Sequence, residues 1–453
     1  MMVTTAMTVA LLLGQTAEQV PPLPTEATGP VITLDEALKV AGERNLDLRA
    51  LSAELDQAQE ITWKALSLYL PQVALGASYT HQDEVHLPLA VPAGPPTIVN
   101  GQTTFNTFAV ENIEFQKANL WGLQVGATQT LVSARLYYSI RGAKESQKAA
   151  ELNLENGRRQ VLFGVARAYY GAAALKEAVG VSQRLLEVAQ REEHDASVRY
   201  QAGAVAKVNL LRAQIDRARA EEDLKRARAA YLSAKVALAS LLVRDTAFEV
   251  EAPPEPSLPS MDLETLVSQG IESRPDVQAL RVQERVEEEN TRSQRSRYLP
   301  DLQLFGNYQL ANVVGLNQKY YAWSGGVRLQ WTLFDGLGRE SDIRTARARM
   351  AEAKVRSEGA AVQVRAEVSQ ALLDLESQRA NTQKSTEQRE LARENSRLVD
   401  VAYRAGTATA VEQADATAQL RNSETQVITD RLNAQLAALQ VLNTVGAFNP
   451  QKQ

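Results

Sequence analysis

The side chains that could carry chemistry are few in this 453-residue chain. No cysteine is present. That excludes thiol catalysis, disulfides, cysteine metal sites and an N-terminal lipid anchor on cysteine. The three histidines, His81, His86 and His194, are few for a metalloenzyme, and His81 and His86 fall in a polar stretch where they read as exposed loop residues. There is no Gly-rich phosphate loop, no H-E-x-x-H and no nucleophile motif. The many Glu and Arg residues sit on helical stretches, where they form solvated faces laced by i,i+4 pairs. Net charge is −5 with both signs spread along the chain, so there is no basic footprint for nucleic acid. The residues call for no cofactor, no metal and no enzymatic role. What the chain does must follow from the elements it builds.

The clearest element is residues 323–336, W-S-G-G-V-R-L-Q-W-T-L-F-D-G. Trp323, Gly325, Val327, Leu329, Trp331 and Leu333 fall on one face; Ser324, Gly326, Arg328, Gln330 and Thr332 fall on the other. This alternation over about ten residues is the length a tilted strand needs to cross a bilayer. Residues 72–81 and 120–131 alternate in the same way, with Trp121, Leu123 and Val125 on the apolar side of the second. Between them, residues 81–118 are polar, contain Pro88, Pro92, Pro95 and Pro96, show no period, and read as a long outer loop.

The rest is helical in composition. Thr33 with Glu36 three residues on is a capping box that opens a short helix, and a second helix follows from Leu46. No proline occurs from about residue 136 to 200, and Val161, Val165, Ala168, Ala172, Leu175 and Val179 form a heptad seam. A helix of about 60 residues is about 90 Å long. It must pack lengthwise against neighbours. Ala202-Gly203 breaks it, and a second long helix carries the seam Leu224, Ala227, Tyr231, Ala234, Leu238 and Leu241. No run of about eighteen apolar residues exists, so no transmembrane helix is expected. Val9 to Leu13 is a short apolar run of the secretory-signal kind.

The pattern then repeats. Tyr298-Leu299-Pro300 follows Tyr69-Leu70-Pro71 by 229 residues, the same offset that separates Leu263 from Leu34. Trp323 follows Trp121 by 202 residues, and Ala405-Gly406 follows Ala202-Gly203 by 203. The chain therefore reads as a tandem duplication. The expected organisation is a signal peptide (1–18), an extended linker (19–32), a first repeat (33–250) and a Pro-rich linker (251–262). A second repeat (263–446) and a tail (447–453) follow. The first repeat holds a β-hairpin at about 72–131 and long helices at about 135–243; the second holds a hairpin at about 301–334 and long helices at about 338–443.

Four amphipathic strands cannot close a barrel, since the smallest have about eight, and open edges in lipid leave backbone groups unpaired at several kcal/mol each. Closure must come from oligomerisation. Two copies give eight strands and a filled interior; three give twelve and an open bore.

In its duplication, its two Y-L-P turns before strands, its Leu333-Phe334-Asp335-Gly336 strand exit and its two A-G turns, the chain resembles the TolC-type outer-membrane efflux proteins from about residue 33 to 446. The resemblance implies a mainly α fold with a membrane β-barrel part. Tandem-duplicated long helical hairpins would form a trimeric α-barrel tunnel, and four strands per chain would contribute to a 12-stranded β-barrel. It implies an exit duct of a tripartite efflux or type I secretion system in the outer membrane. Its expected partners are two further copies of the chain, a periplasmic adaptor (membrane fusion) protein, an inner-membrane RND, ABC or MFS transporter, and outer-membrane lipid.

The resemblance also assigns residues. In the family, acidic residues after the A-G turn ring the closed periplasmic entrance, and Glu412 and Asp415 take those positions here. Three chains would set about six carboxylates around the pore, a filter favouring cations. Tyr403 matches a tyrosine that ties the closed state to the neighbouring turn, and Asn209 stands at its partner position in place of aspartate. Ala408 stands where an arginine is common. The turns Ala202-Gly203 and Ala405-Gly406 are the expected adaptor contacts. Trp121, Leu123, Val125, Trp323, Val327, Leu329 and Trp331 are expected to face lipid. A coiled-coil scaffold is the alternative, but it has no use for tryptophans on apolar strand faces.

Overall fold

The computed structural model of the protein describes residues 29–105, 107–258, 262–314 and 319–448. The expected signal peptide, the linker up to residue 28 and the tail from 449 lie outside the described residues. In chain order the elements are β1 (Val31–Ile32), α1 (Leu34–Arg44), α2 (Leu46–Ser67), β2 (Gln72–His81), β3 (Val85–Pro92), β4 (Thr97–Val99), β5 (Gln102–Thr104), β6 (Phe108–Gln116) and β7 (Asn119–Val132). Then come α3 (Ala134–Gln201), α4 (Lys207–Leu242), β8 (Glu249–Val250), α5 (Leu263–Ser273), α6 (Pro275–Arg295), β9 (Asp301–Ala311), β10 (Tyr321–Gln330), α7 (Gly338–Arg404) and α8 (Ala410–Thr444). The described residues form two compact units, one within 29–45, 164–255 and 379–436, the other within 46–163, 256–378 and 437–448.

The first unit is helical. Thr33 caps α1, its hydroxyl accepting from the Glu36 N–H at 3.3 Å. The strands β1 and β8 pair in parallel, Val31 with Glu249 and Ile32 with Val250. This pair is bolted to α3 by two tyrosines that the heptad seam did not single out. Tyr169 is fully buried and donates to the Ile32 carbonyl at 2.7 Å, while Tyr170 donates to the Pro254 carbonyl at 2.6 Å. Burial pushes both phenols up to about 12, so they remain donors. Glu249 takes hydrogen bonds from Tyr231 at 2.8 Å and from the buried Lys235 at 3.1 Å. A buried ammonium is tolerable only with such a partner. Where α3 and α4 face each other, Leu186, Ala189, Ala220 and Leu224 close the seam.

The second unit holds the sheet, in the order β10-β9-β7-β2, antiparallel throughout. Its register separates two faces. Tyr79 pairs with Trp121, Leu75 with Val125, Leu123 with Leu310, Tyr308 with Trp323 and Leu304 with Val327, so one face is apolar right across four strands. Directly opposed residues share a face because side chains alternate. Gln72 pairs with Thr128, Thr130 with Gln303, Gln124 with Gln309 and Asn307 with Ser324, so the opposite face is polar. Trp323 on β10 is 76% exposed and Val73 on β2 is 70% exposed, so none of the described residues covers the apolar face there. In the same unit, Leu266, Val267, Val277, Val364, Val368 and Val445 make a packed core among α5, α6, α7 and the end of α8.

Two expectations are corrected. Residues 81–118 are not an aperiodic loop: β3 pairs with β6, and β4 pairs with β5. Asn100 and Gly101 at the tip both have positive φ, 54° and 78°. That is the backbone of a two-residue hairpin turn, for which Asn-Gly is the preferred sequence. Pro88 and Pro92 fit because a two-stranded ribbon lets each strand turn a missing N–H outward. The second correction concerns the hairpin expected at 301–334. Its last strand ends at Gln330, which pairs with Asp301, and the next partner position is Pro300. Trp331, expected to face lipid from the strand, lies past its end, and its indole donates to the Tyr298 carbonyl at 3.0 Å.

Arg339 explains why the strand stops there. It is 5% exposed and stacks 3.8 Å from the Tyr298 ring centroid. Its guanidinium donates to the carbonyls of Arg297, Thr332 and Leu333 at 3.2, 3.0 and 3.3 Å. Carbonyls that could have continued a ladder are committed to it. Asp335 accepts from the Arg339 N–H at 3.1 Å and starts α7, after Gly336 and Leu337 turn the chain with φ of 69° and 68°.

Candidate functional site

The two helix turns lie within the first unit and share one backbone. Gly203 and Gly406 have φ of +71° and +77°, a region an L side chain enters at a cost. In each, the glycine N–H bonds a carbonyl three residues back: Gly203 to Tyr200 at 2.9 Å and Gly406 to Tyr403 at 3.0 Å. The next N–H reaches five residues back, Ala204 to Arg199 at 2.8 Å and Thr407 to Ala402 at 2.9 Å. This pairing of bonds is how a glycine-terminated helix satisfies its last carbonyls. Ala202 and Ala405 precede each glycine and their amides still bond within the preceding helices.

The turns differ in how the next helix starts. Before α8, the Thr409 hydroxyl accepts from the Glu412 N–H at 3.3 Å, and the Glu412 carboxylate accepts from the Thr409 N–H at 2.7 Å and its hydroxyl at 2.9 Å. That is a complete capping box. The backbone N–H of Thr409, and then its hydroxyl, hold the Glu412 carboxyl below the usual range. Glu412 is therefore an anion tied to its own helix start. Before α4, Ala206 occupies the cap position with no side-chain bond, and Lys207 opens the helix. Asn209, which lies 203 residues before Glu412, is the third residue of its helix as Glu412 is of α8. Asn209 donates its own N–H to the Ala206 carbonyl at 3.0 Å. Asp415 is exposed one turn further on, and among the described residues it has no ion-pair partner.

Tyr403 and Asn209 line one cleft, formed by α3, α4, α7 and α8. The expected hydrogen bond between them is absent among the described residues. The Tyr403 ring instead lies 5.8 Å from the Arg199 guanidinium, a cation–π contact that joins the two hairpins. The same cleft gathers Glu192, Asp195, Asp216 and Asp400 with Arg199, Arg212, Arg404 and Arg421. Asp400 is tied by Arg404 at 2.9 Å and by the Gln413 amide at 3.2 Å. Burial, with Asp400 and Asp216 adding to it, pushes the Glu192 carboxyl up against the pull of Arg191 and Arg404. The Arg199–Tyr403 contact spans about half the chain in sequence and has no local signal. The Thr409–Glu412 box does have one, the T-x-x-E spacing ahead of a helix.

A sheet with one apolar and one polar face, joined to helices of 68 and 67 residues that turn back at glycines, defines the class of a membrane duct with a helical tunnel. The outer membrane efflux protein model matches residues 37–243 and 266–447, and the chain belongs to that family. It is an outer-membrane protein and not an enzyme. Among curated relatives, the cobalt-zinc-cadmium resistance protein CzcC of Cupriavidus metallidurans is 26% identical over 284 residues, 62% of this chain and 59% of that protein. Among solved structures, that of CusC, described for the conformational changes of folding and transmembrane channel formation, superposes with a TM-score of 0.75 at 15% identity over 93% of each chain. The open-state MtrE outer membrane channel of Neisseria gonorrhoeae gives 0.71 at 18% identity, over 100% of this chain and 99% of that one. The fold is that of these outer-membrane channels.

Proposed function

We propose that the protein is the outer-membrane exit duct of a tripartite efflux or type I secretion system, built as a homotrimer. The observation that carries this is the sheet: four strands with an exposed apolar face, a polar face, and β2 and β10 as open edges. An open edge in hydrocarbon leaves several kcal/mol of unpaired backbone per group, so the edges call for a neighbouring chain. Three copies join β10 of one to β2 of the next and make twelve strands, the count that leaves an open bore. Trp121, Leu123, Val125, Trp323, Val327 and Leu329 then meet lipid, and the polar faces line the lumen. The two tandem repeats, 33–250 and 263–446, each supply one strand pair and one long-helix pair.

In this reading the two A-G turns form the periplasmic entrance. Ala202, Gly203, Ala405 and Gly406 meet the hairpin of a periplasmic adaptor, which links the duct to an inner-membrane RND, ABC or MFS transporter. Glu412 and Asp415 ring the aperture, and Tyr403 on Arg199, with Asn209 in the same cleft, keeps it closed. Substituting Tyr403→Ala together with Glu412→Ala should raise unitary conductance in planar bilayers and lower cation selectivity. Channels with wild-type conductance and selectivity would remove the gate from these residues.

A further inference from the structure

We propose that Arg328, held on the ring of Phe305, is an anion-recruiting site inside the barrel, positioned to take carboxylate- or phosphate-bearing solutes as they leave the helical tunnel. The inference rests on the duct reading, because it takes the polar face of the sheet as the lumen. It adds to that reading a second charged station, opposite in sign to Glu412 and Asp415.

On the polar face, the paired strands carry Gln, Asn, Ser, Thr and small residues. Two charges interrupt them. Asp301 opposes Gln330, and Arg328 opposes Gln303. Phe305 is the aromatic residue of this face, opposed by Gly326 on one side and Thr128 on the other. An aromatic ring facing water needs a reason, and the geometry supplies one. Gly326 presents no side chain, and a Cβ there would sit 3.5 Å from the ring edge. The ring therefore lies across the glycine toward the next residue of that face, and the Arg328 guanidinium carbon stands 4.8 Å from its centroid.

Arg328 has two diagonal neighbours on its face, Phe305 and Asp301. Diagonal positions in an antiparallel pair are about 7–8 Å apart and within reach of an arginine. The structure selects the ring: among the described residues no carboxylate forms an ion pair with Arg328, whereas Arg297, Arg339 and Arg365 of the same unit each have one. Stacking occupies the planar face of a guanidinium and leaves its N–H edge free, and that edge matches carboxylate and phosphate oxygens two at a time. Phe305 is thus a positioning residue. It keeps the cation from being neutralised by Asp301 and leaves it available to a passing anion. In a trimer the motif occurs once per chain, and a ring of like charges in a pore sets its selectivity.

The test is the potassium-to-chloride permeability ratio, taken from reversal potentials of the full-length protein in planar bilayers under a KCl gradient. A unit charge about 10 Å from the permeating ion changes its occupancy by about twofold in water. Arg328→Gln should therefore raise the ratio by at least about twofold. Phe305→Leu should move it the same way by less, because the freed arginine pairs with Asp301, and Phe305→Leu with Asp301→Asn should restore the wild-type value. Glu412→Gln should move the ratio in the opposite direction. An unchanged ratio in Arg328→Gln, with Glu412→Gln shifted, overturns the Arg328 site and leaves the duct intact. Wild-type protein that opens no channel overturns the duct reading and this inference with it.

Discussion

The turns at Gly203 and Gly406 have the same backbone and different anchors. Both glycines take the left-handed conformation and both close with the same pair of backbone bonds. After Gly406, Thr409 and Glu412 satisfy the first amides of α8 with a reciprocal cap, and the anion lies at the end of the helix that attracts it. After Gly203, Ala206 supplies no cap and Lys207 puts a cation where the helix dipole repels one. The lesson is that duplicated geometry does not require duplicated stability. The second turn is fastened locally, whereas the first depends on contacts such as Arg199 on Tyr403. The loosely fastened turn is the one expected to move first.

Amide hydrogen exchange of peptides covering 198–212 and 401–415 can break or sharpen this contrast. The largest effects come from the shared feature. Gly203→Ala and Gly406→Ala should each cost about 1–2 kcal/mol, because both place a Cβ in the left-handed region. Near-equal acceleration of exchange is expected in the two peptides, and a clear inequality would mean that the two backbones are not equivalent. Next comes the cap. Thr409→Ala should cost about 1 kcal/mol and speed exchange in 401–415 roughly fivefold, while Ala206→Ser should slow exchange in 198–212 by a similar factor. No response to Ala206→Ser would contradict the account of the first turn.

The contact between the hairpins comes third. Tyr403→Ala should cost about 0.5–1 kcal/mol and loosen both peptides, and Tyr403→Phe should cost little, since the ring makes the contact with Arg199. A large effect of Tyr403→Phe would instead point to the hydroxyl. The smallest expected effect is that of pH. The Glu192 carboxyl is raised by burial, with Asp400 and Asp216 adding to it, so its proton is held more tightly when the helices are packed than when they are opened. Its stabilising contribution is full below the ordinary carboxylate range and is lost as pH rises through the raised value. Protection factors at the turns, with the intrinsic pH dependence of amide exchange divided out, should rise modestly on acidification from neutral pH, and Glu192→Gln should flatten that dependence. Protection that falls on acidification, with the fall abolished in Glu192→Gln, would give the opposite sign.

Much of this was legible because the signals are local. The glycines at 203 and 406, the Thr33 cap and the alternation of β7 and β10 each fix an element from neighbouring residues. Tyr69 and Tyr298 were legible as matching turns, but not for what they do. Tyr69 donates to the Ser133 carbonyl at 2.9 Å, whereas Tyr298 donates to Glu340 at 2.7 Å and carries Arg339 on its ring. The end of β10 is not legible in the sequence, because an alternating pattern says nothing about which carbonyls Arg339 takes. The hairpins between residues 85 and 116 have only one local signal, the Asn100-Gly101 inner turn, and Pro88, Pro92, Pro95 and Pro96 argue against strands around it. Glu412 was legible as an acid after a turn, and its bond to Thr409 shows that the same carboxylate also holds a helix end.

The central claim is that four strands per chain become a membrane channel only when three chains share them. Purified full-length protein, sized in detergent and then added to a planar bilayer, tests it directly. The account predicts a particle of three chains that inserts in discrete steps, each opening one channel that conducts ions. A single-chain particle, or a three-chain particle that opens no channel, would contradict it.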